Sequence, residues 1–289
     1  MNICISVIVP IYKGNCYIDG IMTMLEGNVQ EIRKFKREFN IELLLVNDFP
    51  DLPIEKEQFS QSGDFEVRVV CNRKNLGIHS SRVHGLQEAK GDYILFLDQD
   101  DKISNEWMRT QLDNIGTADI CVGNGYRVFS DSSKVIYRNI KKQRLATKEQ
   151  VFLKAACQIV SPGHCLIKRD AIPQEWLDNI VEYNGSDDIF LWILMFEQQK
   201  QFCINTERIY QHIDTGKNVS KNSGGMVKSA YNVIQLMRSS GSVLDTHIKT
   251  YEKRVKFSED LQKFKGLRKV LVYLKNIDTC LWKMYAYYR

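Results

Sequence analysis

The sequence predicts an α/β fold: a mostly parallel sheet flanked by helices, with a helical C-terminal extension. Three observations carry that expectation. Over the first hundred residues, short apolar runs rich in β-branched residues alternate with longer helically periodic stretches, which is the rhythm of βαβ units. The composition, 44% hydrophobic over 289 residues with only 17 Gly and 5 Pro, suits a chain that buries a core and rules out disordered and collagen-like classes. The last forty residues place Leu, Val, Trp and Tyr at helical spacing among lysines and arginines.

In chain order, Ile5 to Pro10, Ile41 to Val46, Phe65 to Cys71 and Tyr93 to Leu97 read as strands, since continuous apolar runs of that length fit strands buried on both faces. Helices are expected over Tyr17 to Phe39 and Ile78 to Ala89, the second stopped by Gly91. Beyond Asp101 the pattern is mixed: a helix from Asn105 to Ile115, a hairpin around Asp131-Ser132-Ser133, and a helix from Ser186, read as its N-cap, to about Gln199. Thr215 to Gly225, rich in Ser, Gly and Asn, reads as a mobile loop.

The net charge of +5 conceals an asymmetry. From Lys249 to Arg289 there are eleven Lys and Arg against four Asp and Glu, a surplus of seven, so residues 1–248 are left at −2. In this tail Leu267, Val270, Leu271, Leu274, Leu281, Trp282 and Tyr285 form the apolar side of a basic amphipathic helix. Two readings stay open: a terminal helix packed on its own domain, or a helix lying on an anionic membrane surface. Nucleic acid is not an expected partner, because the rest of the chain is slightly acidic. No run approaches the ~18 apolar residues that span a bilayer; the longest is Ile189 to Phe196. The apolar stretch from Ile3 has no basic segment ahead of it and stops at Pro10, so it reads as a strand and not as a signal peptide, and a cytoplasmic location is expected. The eight cysteines show no Cys-x-x-Cys spacing and are expected to be buried hydrophobes.

The strongest chemical signal is Asp98-Gln99-Asp100-Asp101, directly after the strand Tyr93 to Leu97. Carboxyl ends of parallel strands are where open α/β sheets bind ligands, and clustered carboxylates repel unless a cation joins them. In extended chain Asp98 and Asp100 point to one side, a pair suited to a hard divalent ion, Mg²⁺ or Mn²⁺, shared with phosphates. The competing reading is an acidic turn that caps the next helix. An EF-hand is excluded by Lys102 and Arg109 at positions that need ligands.

Several ordered segments resemble the inverting family 2 glycosyltransferases of the GT-A fold: Ile8-Val9-Pro10-Ile11-Tyr12, Leu45-Val46-Asn47-Asp48, Asn75-Leu76-Gly77 with Arg82, and Gly91 to Asp101. The resemblance covers residues 1 to about 225. It implies donor contacts at Pro10, Tyr12, Asp48, Asn75, Gly77, Arg82, Asp98 and Gln99, with the nucleobase on Tyr12, its imide edge at Asp48 and Arg82, and the ribose near Asp98. It implies a metal, Mn²⁺ or Mg²⁺, on Asp100 with Asp98 and His212. Ser186-Asp187-Asp188 stands where the family carries its catalytic acidic pair, so Asp188 is the implied base and Asp187 its neighbour. Ser161-Pro162-Gly163-His164 resembles the acceptor-side loop, which makes His164 an implied acceptor contact. Tyr210-Gln211-His212 and Ser220 resemble a mobile loop that closes over the diphosphate. Two departures stand out: Lys13 where the family commonly has Asn, and Phe49-Pro50 where it has Gly-Ser.

The expected protein is a metal-dependent inverting glycosyltransferase that moves a sugar from a nucleotide, in the first place UDP, to a growing surface glycan or lipid-linked saccharide. The expected domains are 1–235, divided into a nucleotide-sugar half 1–101 and an acceptor half 102–235, and the extension 236–289. A sugar nucleotidyltransferase would carry a Gly-rich phosphate loop after the first strand, where this chain has Tyr12-Lys13-Gly14-Asn15. A non-catalytic sugar-nucleotide or glycan-binding module is the remaining alternative.

Overall fold

A computed structural model describes residues 3–35, 39–55, 65–216, 218 and 221–288. The chain divides into two compact units, one of residues 1–137, 159–172 and 200–217, the other of residues 138–158, 173–199 and 218–289.

The first unit holds every strand among the described residues: β1 (Ile3–Ile11), β2 (Phe39–Asn47), β3 (Glu66–Cys71), β4 (Tyr93–Phe96), β5 (Lys102–Ile103), β6 (Ile120–Val128), β7 (Ser133–Val135), β8 (Cys165–Lys168) and β9 (Phe202–Ile213). They form one sheet in the order β3-β2-β1-β4-β8-β6-β9-β5, with β7 added beside β6. The β3-β2-β1-β4 half is parallel and β8 runs against both β4 and β6. Three helices belong to this unit: α1 (Ile18–Lys34), α2 (Ile78–Glu88) and α3 (Trp107–Ile115). Alternate residues of the apolar strands explain the layers. Val7, Val9, Leu43, Leu45 and Leu95 pack with Ile21 and Leu25 of α1 and with Trp107 and Met108 of α3. On the opposite face α2 comes close enough that a Cβ on Gly85 would lie 2.4 Å from Ile8 Cγ2.

All four expected early strands are present, and so is the hairpin, closed by Phe129 N–H donating to Ser132 O at 2.8 Å. One element differs in kind. Tyr210, Gln211 and His212 belong not to a mobile loop but to the twelve-residue β9, held by β6 on one side and β5 on the other. Ser220 lies outside the described residues. The cysteines are free; Cys121 and Cys165 are buried as expected, whereas Cys16 and Cys71 are exposed.

The second unit is helical: α4 (Ile140–Gln143), α5 (Glu149–Lys154), α6 (Gln174–Asp178), α7 (Asp187–Glu197), α8 (Ser223–Ser240), α9 (Asp245–Lys263), α10 (Gly266–Lys275) and α11 (Ile277–Tyr288). The expected boundary after residue 235 falls inside α8, whose Val233, Ile234 and Met237 are buried. The apolar residues expected on one amphipathic helix of the basic tail lie on two, α10 and α11, and divide between two environments. Trp282 and Tyr285 of α11 pack against Leu145, Val151 and Ala155. The last carbonyls of α11 are capped by cations, Lys142 on Ala286 O and Arg138 on Tyr288 O at 2.8 Å. In α10, Val272 is buried while Leu267, Val270, Leu271 and Leu274 are exposed. No helix among the described residues is long and apolar enough to cross a membrane.

Candidate active site

Pairing of Ile8 with both Leu44 and Phe96 sets the carboxyl ends of β1, β2 and β4 side by side. The order in which successive strands are added to the sheet switches sides at β1 while the strands stay parallel, and the crevice between β1 and β4 is the place where an open α/β sheet takes ligands. The residues that follow these three ends are Tyr12, Asp48 and the acidic block.

Asp48 is buried and its carboxylate is largely engaged. Oδ1 accepts from Leu76 N (2.7 Å) and Asn72 Nδ2 (2.8 Å), and Oδ2 from Gly77 N (3.0 Å). Three of about four lone-pair sites are therefore used to hold the segment before α2, leaving one for a ligand. Gly77, at φ 86°, adopts a backbone conformation that glycine allows without strain, and Asn75 Oδ1 also accepts from its N–H at 3.0 Å. Tyr12 is 44% exposed at the end of β1, and its ring meets Phe49 edge-on at 5.5 Å. Lys13 Nζ lies 4.5 Å from the Phe49 ring centroid. The two places where the sequence leaves the family pattern thus meet in space, and Lys13 holds a positive φ of 52° that Asn tolerates better. Gln99 Oε1 accepts from Tyr12 N at 2.9 Å and ties the acidic block to the end of β1. A Cβ at position 14 would overlap that amide, so Gly14 leaves room for the Gln99 side chain to make this bond.

The carboxylates of the block have three different environments. Asp98 pairs with buried Arg82 at 2.5 Å and accepts from Ser161 Oγ at 3.0 Å. Asp101 is buried and accepts from Tyr210 Oη, from His212 Nδ1 at 3.1 Å and from Ile213 N at 2.9 Å. Burial still pushes its carboxyl above the ordinary range. Asp100 has no Lys or Arg partner among the described residues, and burial, then Asp101 and Asp98, push its carboxyl up to about 6. A partly buried carboxylate repelled by two neighbours fits a divalent cation. His212 is fixed at Nδ1 by Asp101; burial alone would lower its pKa, but the Asp101 hydrogen bond and charge raise it. That arrangement leaves Nε2 as the nitrogen for a ligand. Asp98, Asp100 and His212 are not gathered as a preformed set of three, since the one such group among the described residues lies elsewhere.

His164 does not meet the expectation of an acceptor contact. It is fully buried, with Nδ1 bonded to Gly123 O (3.0 Å) and Nε2 accepting from Val160 N (3.1 Å), so both nitrogens are used inside the protein. It stacks on Tyr210 at 5.2 Å, and burial brings its pKa down to about 4. Ser161, three residues earlier, is the member of that segment that reaches the acidic block. The structure gives hydrogen-bonding roles beside the candidate site to Asp101, Tyr210 and Ser161, which the sequence segments contained without an assigned role, and to Asn72, which they did not contain. A third carboxylate in the block was the one available signal; the other three come from distant segments.

In the second unit, Asp187 and Asp188 open α7 as expected. Asp187 is buried, and its carbonyl accepts from Trp176 Nε1 at 2.9 Å. Asp188 is half-buried, and its Oδ1 accepts from Ile189 N at 2.7 Å. Ser186 occupies the N-cap position, but its hydroxyl makes no capping bond and is buried without a partner.

A model of glycosyl transferase family 2 matches residues 6–176, more than half of the chain. The chain belongs to glycosyl transferase family 2. An uncharacterized glycosyltransferase of Haemophilus influenzae is 34% identical over 129 residues, covering 44% of this chain and 48% of the relative. The minor teichoic acid biosynthesis protein GgaB of Bacillus subtilis is 27% identical over 222 residues, 73% of this chain and 23% of GgaB. This family 2 chain thus matches less than half the length of these curated relatives. Among solved structures, S. aureus TarS 1–349 in complex with UDP-GlcNAc superposes with a TM-score of 0.60 at 14% identity, over 96% of this chain and 81% of that one. The mannosyltransferase PcManGT from Pyrobaculum calidifontis, in complex with GDP-Man and Mn²⁺, gives a TM-score of 0.53 at 11% identity, over 98% and 84%. The fold is GT-A.

Proposed function

We propose that this family 2 chain is a metal-dependent inverting glycosyltransferase that uses a UDP-sugar and acts in the assembly of a surface polysaccharide or lipid-linked glycan. The observation that carries the reading is the unequal pairing of the acidic block: Asp98 and Asp101 are committed to protein partners, and Asp100 is left for a cation beside the β1–β4 crevice. The preference for UDP and for a polymer acceptor rests on relatives, TarS bound to UDP-GlcNAc and GgaB named for teichoic acid biosynthesis.

In this reading Tyr12 offers an aromatic face to the nucleobase, the free lone pair of Asp48 accepts its imide proton, and Asp98, oriented by Arg82 and Ser161, takes the ribose hydroxyls. Asp100, with His212, would hold Mn²⁺ or Mg²⁺, which when bound supplies positive charge to the departing diphosphate. Inversion requires a base on the face of the sugar opposite the leaving group. Asp188, half-buried where Asp187 is buried, is assigned that role and accepts the proton of the acceptor hydroxyl.

The reading also gives the basic tail a partner. The exposed apolar stripe of α10 lies opposite buried Val272 and is flanked by Lys265, Arg268, Lys269 and Lys275, which matches an anionic membrane surface on the cytoplasmic side. The deciding experiment for the enzyme is a thermal-shift screen of UDP- and GDP-sugars with and without Mn²⁺, followed by nucleotide release with the stabilising donor. A UDP-sugar is expected to stabilise only with metal. Stabilisation by no nucleotide sugar, or full activity in EDTA, overturns the reading.

A further inference from the structure

Away from the acidic block, three side chains of the second unit converge. His247, in the first turn of α9, places Nδ1 2.6 Å from Glu197 Oε1 at the end of α7 and 3.3 Å from Glu149 Oε1 at the start of α5. The ligand atoms of all three lie within 4.8 Å of one another, the one such set among the described residues. The group is sheltered but open to solvent, with side chains 27% (Glu149), 9% (Glu197) and 21% (His247) exposed. Neither glutamate has a Lys or Arg partner among the described residues.

We infer that Glu149, Glu197 and His247 form a second divalent-metal site, of the zinc class, that ties α5, α7 and α9 together. Charge is the first argument. A neutral imidazole has one N–H at Nδ1 and satisfies one carboxylate at a time, and protonation still leaves the trio at −1; a divalent cation neutralises both carboxylates while Nδ1 turns from donor to ligand. Geometry is the second. For ligand bonds of about 2.0–2.1 Å a tetrahedron has edges of about 3.3 Å; the His247–Glu149 separation already matches, and the His247–Glu197 separation needs to open by less than an ångström. The donor set is the third. One imidazole nitrogen with two carboxylates suits Zn²⁺ better than Mg²⁺, which prefers oxygen alone, and three protein ligands leave the fourth position to water. Glu197 ends the helix that Asp187 and Asp188 begin, so the ion would fasten that helix from its far end.

The site is tested with Zn²⁺ alone, by isothermal titration and thermal denaturation of the full chain. The comparison is the wild type against His247→Gln, Glu197→Gln and Asp100→Asn. The three variants keep all eight cysteines, and Asp100→Asn reports on zinc taken up at the acidic block. His247→Gln and Glu197→Gln are each expected to bind one equivalent fewer than wild type, whether or not Asp100→Asn also loses one at the acidic block, and the zinc-induced rise in Tm is expected to persist in Asp100→Asn and to be smaller than that of wild type in the two triad variants. Should His247→Gln lower Tm even without zinc, Glu149→Gln, at the most exposed position, gives the stoichiometry on a less disturbed fold. If the triad variants bind zinc with wild-type stoichiometry and keep the thermal shift, the cluster is a hydrogen-bonded tie and the assignment is wrong.

Discussion

Two buried or partly buried groups of the first unit titrate in opposite directions, and each leaves a mark on stability. Asp100 holds its proton up to about pH 6 in the fold, against about 4 in an unfolded chain. The metal-free folded state therefore binds more protons than the unfolded one between those values, and stability rises as pH falls from 7. Asp100→Asn should remove that slope, raise the Tm of the metal-free protein at pH 7, and abolish metal-dependent nucleotide binding; calorimetry with EDTA at pH 5 and 7 measures the first two. Wild-type metal binding should weaken below pH 6 as the proton competes. His164 behaves inversely. Its pKa falls to about 4 in the fold against an unfolded value near 6.5, so its contribution is present above 6.5 and lost as pH falls toward 4, up to about 3 kcal/mol. The destabilisation of His164→Gln seen in urea at pH 7 should therefore shrink at pH 5. A gap that does not change with pH contradicts a neutral, doubly bonded imidazole.

At the scale of elements, α7 and β9 show what a single sequence reveals and what it hides. The strands β1, β2, β3 and β4 were legible because each is a continuous apolar run, and the acidic block because it follows one of them directly. In β9 the polar residues between Asn205 and His212 carry no such pattern, since that strand draws its order from neighbours distant in sequence, β6 and β5. For the same reason the partners of Tyr210 and Ser161 were not legible, although both lie in segments that resemble the family's loops: one hydroxyl supports Asp101 and the other Asp98. His164 was misread because residue type alone does not separate a ligand from an imidazole that satisfies two backbone groups. α7 was legible as a helix from its apolar run, and its opening acids follow the preference for negative charge at an N-terminus. That preference makes a capping role the alternative to catalysis for Asp188. Kinetics separates the two: Asp188→Asn should leave nucleotide binding intact and lower kcat by about 10² or more, the scale of a lost general base. A variant with unchanged kcat and a lower Tm marks a capping acid instead.

For the whole molecule, the chain is not a domain followed by a tail; both units draw on separate stretches of sequence, and the last seventy residues belong to the second unit's own fold. Removing everything after Thr246 would strip Tyr251, Val255 and Phe257 from buried positions, so truncation would test stability before it tested a membrane. The exposed stripe of α10 allows a cleaner experiment. Leu267, Leu271 and Leu274 are 78%, 49% and 63% exposed, and Ser at these positions removes little buried area. Lys265, Arg268, Lys269 and Lys275 each add about 1 kcal/mol near an anionic surface, an attraction screened over about 10 Å at 0.1 M salt. The wild type is therefore expected to co-sediment with phosphatidylserine-containing vesicles at low salt and to be released at high salt, while Leu267→Ser/Leu271→Ser/Leu274→Ser keeps its Tm and its nucleotide binding but stays in the supernatant. Equal partitioning of wild type and triple variant at every salt concentration would remove the membrane from this account and leave α10 as a helix whose apolar face serves another surface.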